Sequence, residues 1–302
     1  MASLRVLLAP LGVALLALQA CATPATPAPS ATVAPAPAGP ALWKVADEDT
    51  TIYLFGTVHA LPEDVDWLRG DIAAALGEAD EFVTELPIGA GSDPATQSAI
   101  DRKAKLPEDA SLRDLLDPQQ RATYEEALGT LGMPPAEFDS YEPWFAAMTL
   151  NLIPLLKAGY SPESGVEQVL AAQAEGKSFA ALETLEQQID VFDGMPMDAQ
   201  IAYLVALSEG IANVVPLLDE MVVEWAAGDV DALAALMTRG YADPVLFERL
   251  LYRRNRVWAE WIETRLDTPG TVFVAVGAAH LAGENSVQDY VAARGLSTDR
   301  VQ

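Results

Sequence analysis

The chain carries only two histidines, and both close the same short pattern. Leu54 to His59 reads LFGTVH and Ala275 to His280 reads AVGAAH. Each unit is a run of apolar residues, then a glycine, then a histidine three positions later. An apolar run of five or six residues that stops on glycine reads as a buried strand. Glycine at a strand end lets backbone or ligand approach closely. In α/β sheets, ligand sites gather at the carboxyl ends of strands. If the two strands are neighbours, His59 and His280 enter one site. This couples the front of the chain to its back and favours one sheet over two independent domains.

The rest of the pattern agrees with that layout. Residues 41–45 and 51–55 flank a turn-prone DEDT and read as a hairpin. Residues 66–79 have helical apolar spacing, and 81–86 form a short strand closed by Pro87. The middle is helical: 118–131, 143–158 and 164–175, a short strand at 178–182, a helix after it, and four stretches over 197–265 broken near Gly210, Gly228 and Gly240. A strand at 271–276, a helix at 286–294 and a final edge strand from Arg300 close the chain. The expected fold is α/β: a single domain, 42–302, whose central mixed sheet is built from strands near both termini, with a large helical insert.

The first 21 residues read as an export signal. A weakly basic start and an apolar stretch from Val6 to Leu18 lead to LQAC. This tetrapeptide is similar to a bacterial lipobox, with Cys21 as the lipidated residue; cleavage to a plain secreted protein is the alternative. Lipidation would anchor the protein to a membrane, and Ala22 after the cysteine favours the periplasmic face of an outer membrane. Residues 22–41, rich in proline and alanine, form an extended linker. Cys21 is the single cysteine, so intramolecular disulfides, thiolate metal sites and a cysteine nucleophile are excluded. A net charge of −26 argues against nucleic acid as a partner. No Gly-x-Ser-x-Gly elbow, P-loop or Gly-x-Gly-x-x-Gly is present.

Beyond the histidines, GTVH with the following ALP, the strand ending in TELP, then SGVEQ, ALETLEQQ, RNRVW and VFVAVGAAHLAGENS resemble the TraB/GumN family in content and order. That family is similar to the Tiki proteins, described as metal-dependent proteases, and to erythromycin-esterase-like and ChaN-like proteins. The resemblance implies a metal-dependent hydrolase of peptides at the cell envelope, with a divalent ion (manganese, cobalt or zinc). His59, His280 and Glu85 would be ligands, and Glu85 could instead be the base. Glu183 and Gln187 would belong to the catalytic group, or cap the helix that starts there. Arg254 would hold a carboxylate or stabilise an oxyanion beside Asn255, unless RRNR is a solvated basic face. Glu167, in GVE, stands where many members of that family carry an aspartate. Gly56 and Gly277 would serve geometry, and Glu284 and Asn285 are weaker candidates. The competing expectation is a non-catalytic envelope lipoprotein that binds a peptide or another small ligand.

Overall fold

The computed structural model describes residues 39–62, 65–239 and 244–302. The export segment with Cys21, most of the linker and the break near Gly240 lie outside the described residues. In chain order the elements are β1 (Leu42–Ala46), β2 (Thr50–Thr57), α1 (Gly70–Glu78), β3 (Glu81–Thr84), α2 (Pro94–Lys103), α3 (Leu112–Leu115), α4 (Pro118–Thr130), α5 (Pro143–Lys157) and α6 (Val166–Gln173). There follow β4 (Ser178–Ala181), α7 (Leu185–Asp193), α8 (Met197–Gly210), α9 (Val214–Ala227), α10 (Val230–Thr238), α11 (Pro244–Phe247), α12 (Arg253–Arg265), β5 (Gly270–Gly277), α13 (Val287–Ala293) and β6 (Asp299–Arg300).

The six strands form one mixed sheet, ordered β4-β3-β5-β2-β1-β6. The hairpin β1–β2 is antiparallel, and β6 pairs antiparallel with β1. The four strands β4, β3, β5 and β2 run parallel. Parallel strands are covered on both faces and read as near-continuous apolar runs; from Val272 to Val276, β5 is buried throughout. Apolar side chains pack on both sides: Phe55, Phe82 and Phe273 face the helical insert, and Val83 and Val274 pack with Trp258 on the side of α12 and α13.

The N- and C-terminal strands meet in the middle of the sheet. β2 and β5 pair in register from Thr50↔Gly270 to Thr57↔Gly277. The two Gly-x-x-His units therefore lie side by side, offset by one residue, because Gly56 faces Val276 and Thr57 faces Gly277. The helical insert secures this junction: Trp225 of α9 donates its indole N–H to the carbonyl of Gly56 at 2.8 Å.

Several helix limits follow from caps. Asp117 caps α4, exchanging hydrogen bonds with Gln120, and Pro118 fills the first helical position. The same Asp-Pro signal at Asp93 and Pro94 starts α2, a helix that apolar spacing alone does not reveal. The helix expected over 66–79 begins only at Gly70, since Arg69 is extended. Trp67 is taken up elsewhere, stacked on Phe55 with ring centroids 5.7 Å apart. The helix expected over 164–175 opens with a 3-10 turn, Pro162–Ser164, and its α-helical part starts at Val166.

Candidate functional site

Each of the four parallel strands ends on a residue of one cluster. β2 leads to His59, β3 to Glu85, β4 to Glu183, and β5 to Gly277 and His280. Backbone hydrogen bonds extend the β3–β4 pairing into the site, with Glu183 N–H donating to the Glu85 carbonyl at 2.9 Å. Three helices supply the remainder: α12 gives Arg254 and Asn255, α6 gives Glu167, and α7 gives Gln188.

Arg254 is the hub. Its Nη2 donates to Glu85 Oε2 at 2.5 Å and its Nε to Glu183 Oε1 at 2.7 Å. Nη1 donates to the Leu250 carbonyl and to His280 Nε2, each at 3.0 Å. The guanidinium is buried and lies over the Trp258 ring. A π-helical turn, Glu248–Tyr252, leads directly into α12. Within RRNR, Arg253 and Arg256 face solvent while Arg254 and Asn255 are buried, so the segment divides between a solvated face and the cluster.

His280 is 3% exposed and its tautomer is fixed by its neighbours. Arginine can only donate, so Nε2 accepts and the proton sits on Nδ1. Nδ1 then donates to Asn255 Oδ1 at 2.5 Å, and Asn255 Nδ2 donates onward to the Asn285 carbonyl at 2.8 Å. Burial and the Arg254 charge both oppose protonation, lowering the His280 pKa to about 3.

His59 is held differently. Its Nδ1 lies 2.5 Å from Glu167 Oε1, an oxygen that also accepts from the Thr57 hydroxyl. Burial works against the charged ring, but the Glu167 carboxylate prevails and raises the pKa to about 9. The side chain is 27% exposed. Burial likewise opposes the Glu85 charge, yet Arg254 and the Gly277 N–H, which donates to Oε1 at 2.6 Å, lower that carboxyl to about 2. Burial raises the pKa of Glu183.

Gly277 is the floor on which these groups meet. A Cβ there would lie 3.1 Å from Glu85 Oε1, 3.4 Å from His59 Nε2 and 3.6 Å from His280 Cδ2. The added carbon would press on Glu85 Oε1 and sit in contact with both rings. Gly56 answers a different need, since a Cβ would meet the Ala278 backbone at 3.0 Å.

Not every candidate arrives in the cluster. Gln187 is exposed; its side chain accepts from Thr184 N–H at 2.8 Å and completes a capping box at the start of α7. Its neighbour Gln188 is the buried one, and its Nε2 donates to Glu85 Oε2 at 3.4 Å. Sequence reasoning missed Gln188 by one position: Thr184 caps the helix, and α7 then turns the next glutamine inward. Glu284 is exposed and apart, and Asn285 contributes only its carbonyl.

The expected trio of His59, His280 and Glu85 surrounds one point, but Arg254 stands on both His280 Nε2 and Glu85 Oε2. Among the described residues no three His, Cys, Asp or Glu side chains form a ready-made metal cage. The chemistry of the donor set nevertheless suits a cation. Glu85, Glu167 and Glu183 bring three carboxylates against two cationic groups, the Arg254 guanidinium and the His59 ring. Both imidazoles are anchored through Nδ1 to an oxygen, as in metal-binding histidines, where an outer acceptor orients the ring. In front of His59 and Glu85 a pocket opens, walled by Leu86, Pro87, Ile88, Pro162 and Gln188.

The uncharacterized protein YbaP of Escherichia coli (strain K12) is 25% identical over 237 residues, covering 78% of this chain and 85% of that protein. The same figures hold for the uncharacterized protein YbaP of Shigella flexneri. No solved structure matches the chain. The model of the TraB/PrgY/gumN family matches residues 41–300, and the chain belongs to that family.

Proposed function

We propose that the protein is a metal-dependent hydrolase of the cell envelope that cleaves peptide-type bonds. One observation carries the reading: two histidines, both anchored through Nδ1 to an oxygen acceptor, flank Gly277 together with the Glu85 carboxylate. His59, His280 and Glu85 are the residues that would hold a divalent cation, His280 by exchanging its bond to Arg254. Their nitrogen and oxygen donors suit manganese, cobalt or zinc. Such an ion would supply a Lewis acid and an acidified water.

The chain's own groups do the rest. Glu167 and Asn255 keep the two rings oriented with Nε2 inward. Arg254 keeps Glu85 ionised, as a carboxylate that is to hold a cation must be. The guanidinium also supplies positive charge near a developing oxyanion. The exported, lipid-anchored location is supported by LQAC at Cys21 and the proline-rich stretch behind it.

A second reading rests on Arg254 holding His280 Nε2. In it the His59–Glu167 pair moves protons without a metal, as in esterase chemistry. Elemental analysis separates the two. Wild-type protein, stripped with EDTA and returned to manganese, cobalt or zinc, should hold about one equivalent of ion. His59→Ala and His280→Ala should each lose it, and cleavage of a peptide panel should follow the metal. An absence of binding for all three ions would overturn the metal reading.

A further inference from the structure

The two edges of the sheet are built differently. β6, at one edge, is just two charged residues, Asp299 and Arg300. Charge and shortness are usual guards of an edge strand against pairing with another chain. β4, at the other edge, is short too, but it has no charge and no proline from Ser178 to Leu182. Phe179 is 50% exposed there, its ring meeting Phe82 edge-on. Lys177, just before the strand, is turned back onto the carbonyls of Gly77 and Ala79. Ser178 and Leu182 donate to the carbonyls of Asp80 and Thr84, at 3.1 and 2.9 Å. Alternate residues of a strand face the same neighbour, so Phe179 and Ala181 turn their N–H and C=O groups away from β3. Among the described residues nothing pairs with those outward groups.

We propose that an extended segment of a peptide substrate adds to β4 as a further strand, its backbone paired with Phe179 and Ala181 and an apolar side chain laid on the open Phe179 ring. A row of alternating donors and acceptors is met by another extended backbone, which gives affinity with little demand on sequence. The place suits a substrate, because β4 runs into the site: Glu183, two residues past the strand, is the ion-pair partner of Arg254. Naming the peptide as substrate rests on the hydrolase reading; the docking edge itself does not. A second copy of the chain is the poorer occupant. Four residues at about 3.3 Å each give a strand about 13 Å long, too short to bury by itself the roughly 1,200 Å² of a stable dimer.

The test uses acetyl-Thr-Val-Thr-Val-Thr-Val-amide, added to the purified protein after EDTA treatment, with amide hydrogen exchange followed by NMR. At saturation the Phe179 and Ala181 N–H groups should exchange about tenfold more slowly or better. The same peptide N-methylated at every residue should bind about tenfold more weakly or worse, the loss expected for at least one hydrogen bond. Ala181→Pro removes an outward N–H and leaves the ladder to β3 intact. Phe179→Lys installs the charge that this edge lacks. Each variant should lose peptide binding by the same factor and keep wild-type metal uptake. No binding of the peptide, binding that leaves both amides unprotected, or equal affinity for the N-methylated peptide would overturn the proposal. Protection that appears without peptide and rises with protein concentration would overturn it in favour of pairing between copies. Edge protection by the peptide without metal uptake or cleavage would sink only the hydrolase reading, whereas metal uptake and cleavage without edge protection would sink only the docking edge.

Discussion

The two Gly-x-x-His units have the same local sequence logic and neighbouring strands, yet their histidines are opposites. His59 shares a carboxylate with Thr57 and carries its proton up to about pH 9. His280, packed on Trp258 and facing Arg254, stays neutral down to about pH 3. The motif sets where the ring stands; the partner of each ring nitrogen sets what it does. A pair of imidazoles with pKa values pushed apart is a common arrangement at sites that divide acid and base roles.

The largest effect that would break this contrast is loss of Arg254. Arg254→Met strands Glu85 and Glu183 in a buried setting and removes the charge that adds to burial in keeping His280 neutral. Breaking such a buried pair costs about 3–5 kcal/mol, so urea unfolding should show a loss of that order, and the pKa of His280 should rise in whatever remains folded.

The glycines come next. Gly277→Ala crowds Glu85 Oε1 and brings a methyl group into contact with His59 Nε2, while Gly56→Ala crowds the Ala278 backbone. Overpacking of this kind costs about 1–3 kcal/mol. Thermal melts should detect both, but only Gly277→Ala should shift the His59 ring resonances strongly and abolish metal uptake.

Glu167→Gln sharpens the contrast without crowding anything. The His59 pKa should fall from about 9 toward its ordinary value of about 6.5, with His280 unmoved. The consequence for stability follows from linkage. His59 binds its proton more tightly in the folded state, so its contribution is full below pH 6.5 and is lost as pH rises through 9. His280 binds its proton less tightly when folded, so its contribution is full above pH 6.5 and declines as pH falls toward 3. Chemical denaturation across pH should show the alkaline decline flattened in Glu167→Gln and the acid decline retained. The smallest effect belongs to Gln187→Ala: it removes half of a capping box, worth about 0.5 kcal/mol, and should leave both histidine titrations unchanged.

The frame of this site was legible in the sequence because strands and their ends are local signals. Apolar runs closed by Gly56, Pro87 and Gly277 marked β2, β3 and β5, and the matched histidines pointed to their pairing. What resisted reading was nonlocal or one residue fine. Nothing in residues 65–69 says that Trp67 packs on Phe55 rather than inside a helix. Gln187 lies four residues after Glu183, a spacing that puts two residues on one helix face, yet Glu183 precedes the helix and Thr184 caps it, which turns Gln188 inward instead. Glu167 could be named but given no role, because its partner His59 lies more than a hundred residues away. The position of Arg254 between Glu85 and His280 depends on α12 packing beneath the sheet, which no spacing within RRNR encodes.

Two histidines in one chain make the central claim directly measurable. Proton–nitrogen NMR of the imidazole rings, on EDTA-treated protein titrated from pH 4 to 10, gives two sets of signals to assign with His59→Ala. The account predicts one ring that titrates near pH 9 and one that stays neutral, protonated on Nδ1, throughout that range. Two rings titrating together near pH 6.5 would contradict it, and with it the joining of the two Gly-x-x-His units into one buried, charge-divided site.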